Sequence, residues 1–191
     1  MHSKGIGTFL RLSELLDEHL FAVFGGVDSS CKDSLLSAEL PDLQDQYPNV
    51  RFAGSQVDPL LHLHSEFPVL LVPSNYGEGL PRAVVEALAL GIPVICSRSA
   101  TCGVFSEETV YIAEGDAPSD YLRCFDQLLA DYCAGHLYLR LLAARTLVEQ
   151  QLSERAVVQQ TIALYKSLQI ELSDSYLLNK DNQCLQHWLA Q

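Results

Sequence analysis

Positive charge is scarce in this sequence. Its 191 residues carry 12 Lys+Arg against 24 Asp+Glu, a formal net charge of -12. That balance argues against a generic nucleic-acid or anionic-membrane surface, and an anionic ligand would need a site with its own local positive groups. Long hydrophobic runs are also lacking. Spanning a bilayer takes about 18 to 20 apolar residues, and the best candidates here are cut by Glu86, Gly91 or Pro93. The opening MHSKGIG has no apolar h-region, so no secretory signal is expected. Charged residues make up 19% and hydrophobic ones 48%, which excludes a mostly disordered chain and supplies a core. The expectation is a soluble, cytoplasmic chain of one domain, or one large domain with an appendage.

Metal and redox signatures are missing as well. The cysteines at 31, 96, 102, 124, 133 and 184 form no C-x-x-C, so neither a zinc ribbon nor a redox dithiol is indicated. Cys96 lies in the apolar run PVIC and reads as a small buried hydrophobe. His62-x-His64 is a close histidine pair, but on a helix positions i and i+2 point about 200° apart and do not share one metal. No metal and no cofactor are expected.

What is present is an alternation of short apolar runs and helical periods. The sequence predicts a helix from Gly5 to about Glu18, a strand at 19–24 ended by Gly25-Gly26, and a helix over 32–46 interrupted by Pro41. Gly25-Gly26 reads as a strand-terminating turn rather than a phosphate cradle. VRFAG at 50–54 is a second strand, followed by a short helix over 59–65. FPVLLVP at 67–73 is a third, apolar throughout as for a strand covered on both faces. Pro81 opens a helix to Leu90, and strands follow at 93–97 and 109–113. Helices over 118–132, 136–150 and 153–168 are expected to put their apolar residues into the core, with a further helix at 182–190 around Trp188. This pattern argues for an α/β fold with a doubly wound parallel sheet.

Such a domain usually begins with a strand central to its sheet, and here the chain opens directly in a loop and helix. The strands at 19–24 and 67–73 are then expected to flank a gap or to close up against each other. Unpaired backbone groups in a gap would cost about 1–3 kcal/mol each. The chain reads as a fragment.

The segment PSNYGEGLPRAVVEALALGIPVICS, residues 73–97, carries the chemistry. It is strand end, loop, helix and strand. Free N–H groups and the helix dipole at Leu80-Pro81-Arg82 favour an anion, and Gly77 and Gly79 let backbone approach a ligand. Two glutamates spaced as Glu78 and Glu86 mean little by themselves, but their context is specific. Lys4-Gly5-Ile6-Gly7, Val50 to Gly54, Pro73-Ser74, the E-x7-E stretch from Glu78 to Ala87, Ala89 to Ile95 and Glu114-Gly115-Asp116 occur in order. Together they resemble the C-terminal, donor-binding domain of GT-B glycosyltransferases of the retaining family called family 4 or group 1. The resemblance covers about residues 3–168, a truncated nucleotide-sugar-binding domain with a Rossmann-like fold lacking its first strand, and leaves 169–191 as a tail.

The resemblance implies roles residue by residue. Glu86 would accept hydrogen bonds from the ribose hydroxyls of a nucleotide-sugar, its two oxygens suiting a vicinal diol. Glu78 would lie against the donor sugar, and Lys4 would neutralise the diphosphate with help from the N–H groups of Leu80 and Arg82 near Gly79. The base would rest between Gly54 and Val57. Transfer would retain configuration without a required metal, driven by leaving-group stabilisation. The simpler readings stay open: Glu86 as a solvated helix residue, Glu78 as a loop charge, Lys4 as an exposed chain end, and Arg82 and Arg98 as surface cations. Pro81 removes an amide that would otherwise face the phosphates.

Three functions follow. The first is the donor-binding half of a retaining glycosyltransferase that builds a polysaccharide, glycolipid or similar glycan, inactive alone. The second is an inactive fragment or split subunit that docks with a separate N-terminal acceptor domain. The third, another GT-B enzyme such as a sugar-nucleotide epimerase or a phosphorylase, fits E-x7-E followed by ALALGIPVI less well.

Overall fold

The structure, a computed structural model, describes residues 4–25, 39–57, 67–77 and 79–176. The expected helices at 59–65 and 182–190, the His62-x-His64 pair and Glu78 lie outside the described residues. The chain divides into two units, Met1–Val148 and Glu149–Gln191.

In the first unit, helix α1 (Ile6–Leu15) leads to strand β1 (Phe21–Phe24), helix α2 (Leu40–Gln46) and strand β2 (Val50–Gly54). Strand β3 (Leu70–Val72), helix α3 (Arg82–Ala89), strand β4 (Val94–Ser97), a 3-10 turn (Arg98–Thr101) and strand β5 (Tyr111–Ala113) follow. Helices α4 (Pro118–Cys133) and α5 (Leu137–Leu147) close it, and a π turn over Val148–Leu152 runs across the boundary. The second unit holds helix α6 (Glu154–Tyr176), eight residues longer than the sequence predicts at its carboxyl end. Of the helix expected over 32–46, residues 32–38 lie outside the described residues, and Pro41 occupies the first turn of α2, where its missing N–H costs nothing.

Among the described residues all pairings are parallel, as an α/β alternation requires, and the strands fall into two sheets, β1-β2 and β3-β4-β5. Among the described residues no ladder joins β1 to β3, so the discontinuity expected between 19–24 and 67–73 is present. Its consequence is visible in burial. β4 is buried at all four positions, whereas β3 is only half-buried throughout. The expectation that the 67–73 run is covered on both faces is therefore wrong: β3 is half-buried, and among the described residues it pairs with β4 alone.

Side chains join what the backbone does not. One cluster gathers Leu12, Ile95, Tyr111, Tyr121 and Leu128, with Leu16, Phe21, Val69 and Leu71 packed against it. A second gathers Ile6, Leu10 and Val50, with Phe9, Phe21, Val23 and Phe52. Helix α1 thus feeds both clusters, and Phe21 touches both, its ring edge-on to Phe9 at 5.2 Å. The Asn49 amide reinforces this by donating to the carbonyls of Ser13 (2.9 Å) and His19 (3.2 Å). The helices after 118 are less buried than their apolar content suggests. Tyr121, Cys124, Leu128, Leu137 and Ala144 are core, but Tyr132, Tyr138, Leu139, Ile162 and Tyr165 are exposed.

Candidate functional site

The site grows from the start of α1. Gly5 holds φ 74, and a Cβ there would meet the carbonyl oxygen of Pro73 at 1.8 Å. A glycine is therefore required for α1 to begin directly against the end of β3. That contact places Lys4 beside the loop after β3, with Nζ 5.9 Å from the centre of the Tyr76 ring. One turn on, Thr8 Oγ1 donates to the carbonyl of Asp116 at 3.1 Å, bringing in the turn after β5.

The same loop runs into α3. Pro81 is the N-cap residue of that helix rather than its first turn. Its missing N–H removes one amide, but the N–H groups of Arg82 and Ala83 still lack intrahelical partners, as the first residues of any helix do. No acidic residue stands in the first turn to oppose an anion. Val84, Ala87 and Leu88 anchor α3 in the core. On its outer side Arg82 Nη2 lies 3.6 Å from Glu86 Oε1, an exposed i,i+4 pair.

The segment after β4 forms the facing wall. Ser97 caps the 3-10 turn by accepting from the Ala100 N–H at 3.2 Å. Its hydroxyl also donates to the carbonyl of Ser74. Cys102 Sγ lies against the carbonyl of Gly79, and its thiol donates to the Ala100 carbonyl at 3.6 Å. Arg98 makes a forked pair with Glu114, Nε to Oε2 at 2.8 Å, and lies 3.7 Å from Glu107. The hydrogen bond from Arg98 holds the Glu114 carboxyl below its usual range, and Glu114 in turn raises Arg98. A shallow depression lined by Arg98, Phe105, Ser106, Glu107, Glu108 and Ile112 adjoins this pair.

The structure therefore brings Lys4, Gly79, Leu80 and Arg82 to one loop, with Glu86 paired to Arg82. Gly54 (φ 69) and Val57 stand at the end of β2 in the other sheet, where Gly54 accepts from the Gly25 N–H at 2.9 Å and Val57 is fully exposed. No described contact of Arg82 or Glu86 reaches them. Sequence reasoning missed Tyr76, Ser97 and Cys102. Tyr76 lies inside the quoted motif, but Ser97 and Cys102 lie against carbonyls 23 residues back, which no local pattern reveals. Among the described residues no group of three or more His, Cys, Asp or Glu is placed to hold a metal ion.

Residues 1–131 match the family model described as glycosyl transferases group 1. The chain belongs to this family. The matched span includes the start of α1, the loop after β3 and all of α3. Among solved structures it is similar to HepE (Alr3699) from Anabaena in complex with UDP, at 15% identity and TM-score 0.71, over 87% of this chain and 46% of that one. It is similar to sucrose-phosphate synthase from Thermosynechococcus elongatus at 26% identity and TM-score 0.70, over 90% of this chain and 44% of that one. The C-terminal domain of a group 1 family protein (LpcC) from Francisella tularensis matches at 18% identity and TM-score 0.63, over 81% of this chain and 82% of that one. The chain thus spans less than half the length of the first two, and the shared fold is a Rossmann-like GT-B half. No curated protein matches it in sequence. No described helix is long and apolar enough to cross a membrane.

Proposed function

We propose that residues 1–168 are the C-terminal, donor-binding half of a retaining glycosyltransferase of family 4 that works in the cytoplasm on glycan or lipid acceptors. In this reading the chain binds a nucleotide-diphosphate sugar and needs an acceptor domain for transfer. The observation that carries it is the convergence of Lys4, the Tyr76 loop and the unpaired amides at the start of α3. Lys4 and those amides are two sources of positive potential on a chain of net charge -12. Lys4 and the N–H groups of Leu80 and Arg82 hold the diphosphate, which stabilises the leaving group as the sugar departs. Glu86 takes the ribose diol, Glu78 the sugar, and Gly54 to Val57 the base. The complex of HepE with UDP-glucose makes a uridine donor the first to try.

Thermal unfolding with and without UDP and GDP tests this. UDP at a hundredfold excess over Kd would add about 2.7 kcal/mol to the stability. Glu86→Ala should abolish the gain while leaving the unliganded midpoint nearly unchanged, because an exposed i,i+4 pair stabilises little. A second reading, a subunit that docks with a separate acceptor domain, is favoured by the edges of β1 and β3 that pair with no strand among the described residues. No cooperative unfolding alone, with a transition recovered on mixing with an acceptor-domain polypeptide, would support it over the first.

A further inference from the structure

The Tyr76 side chain takes no part in the donor contacts proposed above. Its ring is 60% exposed, so it adds little to the core. The Lys4 ammonium lies over it, 5.9 Å from the ring centre, within reach of a cation–π contact. The backbone on both sides of this contact is fixed by other means. Gly5 follows Lys4 at φ 74 and has no room for a side chain against the Pro73 carbonyl. Pro73 and Ser74 are buried at the end of β3, and Tyr76 follows two residues later.

What the backbone leaves loose is the lysine stem. A lysine side chain is a flexible four-carbon chain, and ordering it removes more rotamer freedom than ordering most others. A ring face collects the ammonium before a ligand arrives, so that binding an anion has less freedom left to remove. It does so without cancelling the charge, whereas a carboxylate would cancel it. An ammonium held over a ring keeps its attraction for a diphosphate.

We propose that Tyr76 is a positioning residue that holds the Lys4 ammonium over its ring, ready for the diphosphate of the donor. This role rests on the donor-binding reading above, and Tyr76 acts in it through Lys4.

The test uses the whole chain with UDP as probe. Tyr76→Leu removes the ring face and should weaken UDP binding about two- to fivefold by titration calorimetry, the size of one exposed cation–π contact. Tyr76→Phe keeps the face and should stay within about 1.5-fold of the parent. The Tyr76→Leu change made in a Lys4→Met chain should cost nothing further, since a pair that acts as a unit is lost only once. An equal loss in both backgrounds, or parental affinity in Tyr76→Leu, overturns the role and leaves donor binding standing. The contact itself is read by NMR without nucleotide. With isotope-labelled lysine, the Lys4 ε-methylene protons should be shifted upfield by the ring in the parent and in Tyr76→Phe, and should lose that shift in Tyr76→Leu. Lys4→Met assigns the signal. An unchanged Lys4 signal in Tyr76→Leu overturns the pairing. A ring-shifted Lys4 in a chain that binds no UDP overturns both the donor reading and the positioning role, and leaves only the contact.

Discussion

At the scale of the residue, Gly5 carries the sharpest demand. Any side chain there faces both the left-handed backbone and the oxygen of Pro73. Gly5→Ala should cost about 2 kcal/mol or more in urea unfolding, since a left-handed residue with a Cβ alone costs 1–2. It should also weaken UDP binding by moving Lys4. A loss below about 0.5 kcal/mol would mean that α1 does not start against β3. The Lys4-Gly5 pair was legible because it belongs to a motif read in order. Ser97 and Cys102 were not, because the atoms they lie against are backbone oxygens far back in the chain, and a carbonyl leaves no mark on residue type. Glu78, equally legible, lies outside the described residues.

At the scale of the element, periodicity located every described strand and helix, and misjudged how well some were covered. Burial depends on neighbours, and among the described residues β3 lacks one on an edge that no residue within 67–73 encodes. The β5–α4–α5 corner shows the opposite case, a cluster of charge that the sequence scattered. Tyr111 Oη donates to Asp131 Oδ2 at 2.8 Å, and Arg140 Nη2 lies 3.2 Å from the same oxygen. The Arg140 guanidinium stacks 4.2 Å from the Tyr111 ring and donates to the Val110 carbonyl at 3.3 Å. Both partners of the pair are about one-fifth exposed. Asp131→Ala should therefore cost about 2 kcal/mol, below the 3–5 of a fully buried pair. Adding Arg140→Ala should cost much less than that variant does alone, because the stranded charge is gone. Urea midpoints of the two single variants and the double variant measure this; full additivity would show that the groups act separately.

At the scale of the whole molecule, fold class was legible, while the division into two sheets was legible only as an expected gap. Buried weak acids then set the alkaline limit. Burial pushes the Cys96 thiol up to about 12 from 9.0. Burial, then the bond to Asp131, raises the Tyr111 hydroxyl to about 12 from 10.0. Both groups stay neutral in the folded chain where the unfolded chain would already ionise. The stability they contribute is complete below about pH 9 and is lost as pH rises towards 12. A thermal midpoint that falls steadily over that range, and falls less in Cys96→Ala, is the expected result; a flat profile would place the thiol in contact with water. Among the described residues the two sheets share no ladder, yet α1 packs its first half into one cluster and Leu12 into the other. It works as a keystone: cooperativity between the halves passes through its side chains and Phe21, not through hydrogen-bonded strands among the described residues. Lys4 stands at the end of that keystone, so an anion gripped there would tighten both halves of the domain at once.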